Sequence, residues 1–208
     1  MCENRNISLK WDFSTFSAAA HHSSTGIKEA IYTQFPELKI QEPNWEVLYA
    51  EKKQILLELI KEGQTQLMEG AEPLLKALAH AAIPSCVVTN SPFLFIELIR
   101  QQLPILNLIP YWVTREHYSK PKPHCECYEY AIKKHAKSTD KIIGFEDSPK
   151  GFSALKQTRA LPVLICANHF SYLNHFDLNQ LHYYPSFKKI NEKNYPSCRT
   201  LRKLEQVL

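Results

Sequence analysis

The chain has 208 residues, 44% of them apolar and 22% charged, which is enough to bury a sizeable core and ordinary for a globular protein. Its net charge of +4 comes from lysines scattered among glutamates, and the lack of a long basic block argues against nucleic acid as a partner while suiting a small phosphorylated molecule. No apolar run reaches membrane-spanning length, and Met1 to Lys10 carries no signal-type apolar stretch. The six cysteines do not form a disulfide or zinc pattern: Cys125 and Cys127 stand two apart, on different sides of a helix. A cytoplasmic, reducing location is the expectation.

Residues 1–80 read as helix and loop. A short helix starts over 14–20, and a second is capped by Thr25 and ends before Pro36. A longer one over 44–62 carries the stripe Leu48, Ile55, Leu56, Leu59 and Ile60 and is closed by Gly63. Another covers 72–82, with Pro73 in its first turn and Leu74, Leu75 and Leu78 turned inward. From residue 84 the pattern changes. Cys86-Val87-Val88-Thr89 is a short strand with a polar end, and a helix follows over 93–102. A short strand and turn over 107–113 precede a helix over 124–137, a strand over 141–145, a helix over 149–158 and a strand over 162–166. Such alternation predicts an α/β module with a parallel sheet covered on both faces. The domain boundary falls between a helical part, 1–66, and this module, 67–208, with Gly63 and Gly70 marking the passage. Residues 182–208 read as a peripheral helix and a loose tail, and the aromatics Tyr172, His182, Tyr183 and Tyr184 as ordinary packing, with a partner surface as the alternative.

Three polar groups stand behind predicted strands. Thr89-Asn90-Ser91 offers hydroxyls and backbone N–H groups to phosphate oxygens. Lys120, in Ser119-Lys120-Pro121-Lys122-Pro123, sits where the backbone is restrained by prolines and supplies a point charge for phosphate. Gly144-Phe145-Glu146-Asp147-Ser148-Pro149-Lys150-Gly151 places two carboxylates at a strand end, hard oxygen ligands that suit Mg²⁺. Each has a bland alternative: Thr89 as a cap, Lys120 and Lys122 as solvated charges, and Asp147-Ser148-Pro149 as a helix start. Hydroxyl, lysine and acidic pair together are the electrostatic parts of phosphoryl transfer.

These motifs, with the helical stretch from Leu9 to Glu62, resemble the haloacid dehalogenase superfamily, in its β-phosphoglucomutase-like and phosphoglycolate phosphatase-like branch. The resemblance implies a Rossmann-like parallel-sheet core with an all-helical cap and Mg²⁺-dependent chemistry on a small phosphate ester. It implies that Thr89 and Asn90 bind the phosphoryl group, Lys120 neutralises it, and Glu146 and Asp147 hold Mg²⁺. His124 departs from the aspartate that usually opens the following helix, which puts the positioning of Lys120 in question.

The family's first motif, a strand ending in Asp-x-Asp, has no match in the 208 residues. Its first aspartate is the nucleophile and its second the general acid and base. Trp11-Asp12-Phe13-Ser14-Thr15 comes nearest, but Ser14 stands where the second aspartate belongs. The first core strand, central in this family, is thus expected to be absent. The chain as given is expected to turn over little. The alternatives are a sugar phosphomutase and a non-catalytic binding or scaffold protein on the same fold.

Overall fold

The computed structural model describes residues 1–22, 25–167, 170, 173–174 and 176–191. They fall into two compact units, one built from Met1–Gln64 together with Phe170–Asn174, the other from the remaining described residues.

The first unit is helical, with α1 Phe13–His22, α2 Gly26–Gln34, α3 Pro36–Gln41 and α4 Trp45–Lys61. Its core gathers Cys2, Ile7, Ile31, Tyr32, Leu38 and Leu48. Pro36 ends α2 as expected but also opens α3, because a residue without an N–H fits the first turn of a helix. Asn44 caps α4 by accepting the N–H of Glu46. A bidentate ion pair from Arg5 to Glu51, at 2.6 and 2.7 Å, ties the N-terminal segment to that helix. Along the α4 stripe Leu48 and Ile60 are buried, whereas Ile55, Leu56 and Leu59 remain exposed.

The second unit holds α5 Ala71–His80, β1 Cys86–Val88, α6 Phe93–Gln102, β2 Tyr111–Val113 and α7 Glu126–His135. It continues with β3 Ile143–Glu146, α8 Pro149–Leu155, β4 Leu161–Ile165 and β5 His182–Tyr184. All strand pairs are parallel: β1 with β2, β3 with β4, and β4 with β5. They make two small sheets, β1-β2 and β3-β4-β5. Among the described residues, β1 therefore pairs with β2 alone and β3 with β4 alone. Residues 107 and 108, the start of the expected 107–113 strand and turn, instead close a 3₁₀ turn, Pro104–Leu108, opened by its proline.

The helix–strand packing is tight. A Cβ added at Gly144 on β3 would stand 2.5 Å from Leu155 Cδ1 on α8, so the glycine lets the helix lie against the strand. Val113, Tyr118, Cys127, Tyr128, Ala131, Ala154, Leu155 and Ala160 form one buried cluster. Val163, Ile165, Tyr184 and Ile190 form another, flanked by Phe145 and Phe187.

One expectation needs correction. The described part of 182–208 is not a peripheral helix: it contributes β5 to the sheet and then a 3₁₀ turn, Phe187–Asn191. Three aromatic residues are too few to announce a strand by alternation, but burying Tyr184 completely against β4 fixes it there. Tyr183 Oη also donates to the Cys166 carbonyl at 3.0 Å. Residues 192–208 and Tyr172 lie outside the described residues.

Candidate functional site

The carboxyl ends of β1 and β3 and the segment 118–124 meet at one place. Thr89 continues β1, and its N–H bonds to the Val113 carbonyl of β2 at 2.9 Å. Its Oγ1 accepts the N–H of Ser91 at 3.0 Å, which turns the chain sharply toward α6. The N–H of Phe93, at the start of that helix, is taken by Glu116 at 3.0 Å.

Tyr118 fixes this loop from the other side. Its hydroxyl donates toward both the Thr89 carbonyl, 2.8 Å away, and Asn90 Oδ1, at 2.6 Å. Asn90 Oδ1 also accepts the backbone N–H of Lys122 at 3.3 Å. Burial pushes the Tyr118 hydroxyl well above its ordinary pKa, so it stays a donor at neutral pH.

Glu146 ends β3 with its carboxylate buried. Its Oε1 receives the Lys122 ammonium at 2.5 Å and the hydroxyl of Tyr128. Its Oε2 receives Ser148 Oγ at 3.4 Å. The same ammonium donates to the Val88 carbonyl at 2.9 Å, so Lys122 links the end of β1 to the end of β3. Lys122 Nζ also stands 4.8 Å from the centre of the Tyr128 ring. Burial, and then the negative charge of Glu146, raise the Tyr128 hydroxyl well above its normal range. Gly151, in the first turn of α8, backs this carboxylate, and a Cβ there would land on it. Ser148 caps α8 by accepting the Gly151 N–H at 3.1 Å, with Pro149 in the first turn. The helix-start reading of the octet and its acidic pair thus coexist.

Asp147 follows at the strand end, exposed as a residue but with its carboxyl group among protein atoms. Protein packed around its carboxyl, and then the charge of Glu146, push its pKa up. A carboxyl raised in the fold favours folding below the range of an unfolded carboxyl, about pH 4, and loses that contribution as pH rises through the raised value. Asp147→Asn should therefore be more stable than the parent at pH 7, with the difference vanishing below about pH 4. Denaturant unfolding at the two pH values checks this, and an equal difference at both would contradict it.

Among the residues expected at the site, Thr89, Asn90 and Glu146 come together through Tyr118 and Lys122. Lys120 does not supply the ammonium that meets Glu146: it is exposed, and Lys122, two residues on, points inward instead. The backbone N–H groups of Ser119 and Lys120 are held by the two carboxylate oxygens of Glu126, at 2.8 and 2.9 Å. These two bonds, Ser119 first, keep the Glu126 carboxyl below its usual range. His124 Nδ1 accepts the Glu126 N–H at 3.1 Å, so this residue does act as a helix-start acceptor. Sequence reasoning did not single out Tyr118, Glu126 or Tyr128. For Tyr128 a signal existed, since Cys127, Tyr128 and Ala131 make one buried face of α7.

The residues at hand do not fit a two-carboxylate Mg²⁺ site. Both oxygens of Glu146 are engaged by donors of the chain itself, one of them a full positive charge. Among the described residues no group of three or more His, Cys, Asp and Glu side chains is placed to hold a metal. Trp11-Asp12 is not a strand end either. The Asp12 carboxylate accepts the N–H of Thr15 at 2.7 Å, at the start of α1.

Residues 11–161 match the haloacid dehalogenase-like hydrolase family. Validoxylamine A 7'-phosphate phosphatase of Streptomyces hygroscopicus subsp. limoneus is 30% identical over 102 residues, 49% of this chain and 48% of that protein. The chain thus spans about half the length of the curated relative it matches. Among solved structures, a HAD hydrolase of family IA, variant 3, from Entamoeba histolytica is similar with a TM-score of 0.69 and 19% identity, over 97% of this chain and 86% of that one. β-Phosphoglucomutase from Clostridium difficile gives a TM-score of 0.67 and 17% identity, over 97% and 85%. CbbY from Rhodobacter sphaeroides, in complex with phosphate, gives a TM-score of 0.66 and 16% identity, over 90% and 84%. No helix of the described residues is long and apolar enough to cross a membrane.

Proposed function

The chain belongs to the haloacid dehalogenase-like hydrolase family, and from that premise we propose that it is the core and helical cap of a phosphatase acting on a small phosphate ester. In this reading residues 1–66 are the cap, and the branch is the one that includes β-phosphoglucomutase and phosphoglycolate phosphatase. The observation that carries it is the convergence of Thr89, Asn90 and the 118–124 segment at the ends of β1 and β3. Thr89 Oγ1 and the backbone N–H groups after it would hold phosphoryl oxygens. Lys120, exposed at the rim, would meet the phosphate as a point charge.

The nucleophile is read as an aspartate on a strand between β1 and β3, the edges that lack a strand partner among the described residues. Its carboxylate oxygen would attack phosphorus in line, and the P–O ester bond would break as the second aspartate of the motif gives its proton to the leaving oxygen. Water would then cleave the phospho-aspartate to phosphate and free carboxylate. Glu146 is already neutralised by Lys122 and offers Mg²⁺ no open carboxylate. A phosphatase is preferred over a mutase because the relative with the higher identity is named for a phosphatase.

Hydrolysis of an aryl phosphate and of phosphoglycolate tests this, on the 208-residue chain and on the chain preceded by a strand ending in Asp-x-Asp. Turnover confined to the second supports the reading. Interconversion of sugar phosphates without phosphate release would favour the mutase. Silence in both chains would favour a non-catalytic protein.

A further inference from the structure

We propose that the ammonium of Lys122 takes the electrostatic place of a divalent cation at the ends of β1 and β3, so that Glu146 is held by an internal charge and is not a metal ligand in this chain. The inference concerns the site of the proposed phosphatase, but its test reads metal binding and not turnover.

The ammonium lies 2.5 Å from Glu146 Oε1 and 2.9 Å from the Val88 carbonyl, one carboxylate and one backbone oxygen. These are the donor types a hard cation collects. The two side chains are only 11% and 6% exposed, so the charge is neutralised inside the protein and not by solvent. The remaining environment is equally committed. Tyr128 donates to the same oxygen, and the Lys122 ammonium sits over that tyrosine ring. Behind the other oxygen, Gly151 leaves no room for a side-chain atom and Ser148 supplies a donor.

Lys122 is also fixed by its backbone. Pro121 and Pro123 restrain the chain on either side, and its N–H is bonded to Asn90 Oδ1. A metal ion that reached Glu146 would have to displace a buried ammonium and leave it without its counter-charge. That cost separates Glu146 from an acidic pair open to metal.

The measurement is a Mn²⁺ titration followed by electron paramagnetic resonance, with circular dichroism to confirm folding of each variant. Glu146→Gln should leave Mn²⁺ affinity within about twofold of the parent. Lys122→Met should raise it by about tenfold or more, and adding Glu146→Gln to that variant should remove the gain. A loss of about tenfold in Glu146→Gln alone, or a folded Lys122→Met with no gain, would overturn the proposal. The double variant, Lys122→Met with Glu146→Gln, buries no unpaired charge and serves if either single variant fails to fold. Affinity equal to the parent supports the proposal, and a loss of about tenfold overturns it.

Discussion

Lys122→Ala should destabilise the second unit by about 3–5 kcal/mol, because it leaves the buried Glu146 carboxylate without its counter-charge. The loss has two parts. The carboxylate keeps the Tyr128 hydroxyl and Ser148 as donors but loses the ammonium in contact with it. The Val88 carbonyl also loses its partner, so the link between the ends of β1 and β3 opens. The neutral double variant, Lys122→Met with Glu146→Gln, should recover most of that loss, since the cost of a broken buried pair lies in the orphaned charge. Denaturant unfolding of the parent, the single variant and the double variant measures both effects. A single variant as stable as the parent would mean that the pair is solvated and contributes little.

Gly151→Ala should cost about 3 kcal/mol, against a gain of up to about 1 kcal/mol expected from helix propensity alone. The new Cβ would fall on the Glu146 carboxylate, which cannot swing aside easily because Lys122 and Tyr128 hold it. Nor can α8 retreat freely, since its cap and its contact with Gly144 fix the helix against β3. The same substitution placed on a Glu146→Ala background should cost much less, a coupling that a double-mutant cycle reads directly. Equal costs on both backgrounds would show that the clash lies elsewhere.

Much of the α/β part was legible because its signals are local. Ser148 and Pro149 announce the start of α8, and Gly144 and Gly151 flank a strand end with two carboxylates. The short apolar runs at Cys86–Val88 and Leu161–Ile165 are strands, as their composition indicates. What escaped depends on contacts distant in sequence. Lys120 and Lys122 occupy equivalent places in a Lys-Pro-Lys-Pro run, and nothing local says which ammonium turns inward. The choice is made by Glu126 holding the backbone at 119–120 and by Asn90 and Glu146 receiving Lys122. His124 reads as a poor cap, yet its ring nitrogen accepts the bond an aspartate would. Strand β5 is three residues long, too short for periodicity, and its pairing with β4 and the burial of Tyr184 fix it.

The proposed phosphoryl transfer runs through an aspartate on a strand between β1 and β3. Acid-quenched mass spectrometry after incubation with acetyl phosphate tests it most directly, on the chain preceded by a strand ending in Asp-x-Asp and on the 208-residue chain. A phosphoryl group on the first aspartate of the added motif, and none on the shorter chain, is the predicted result. A phosphoryl group on Asp12, or turnover in the longer chain with no phospho-aspartate at the added motif, would contradict it.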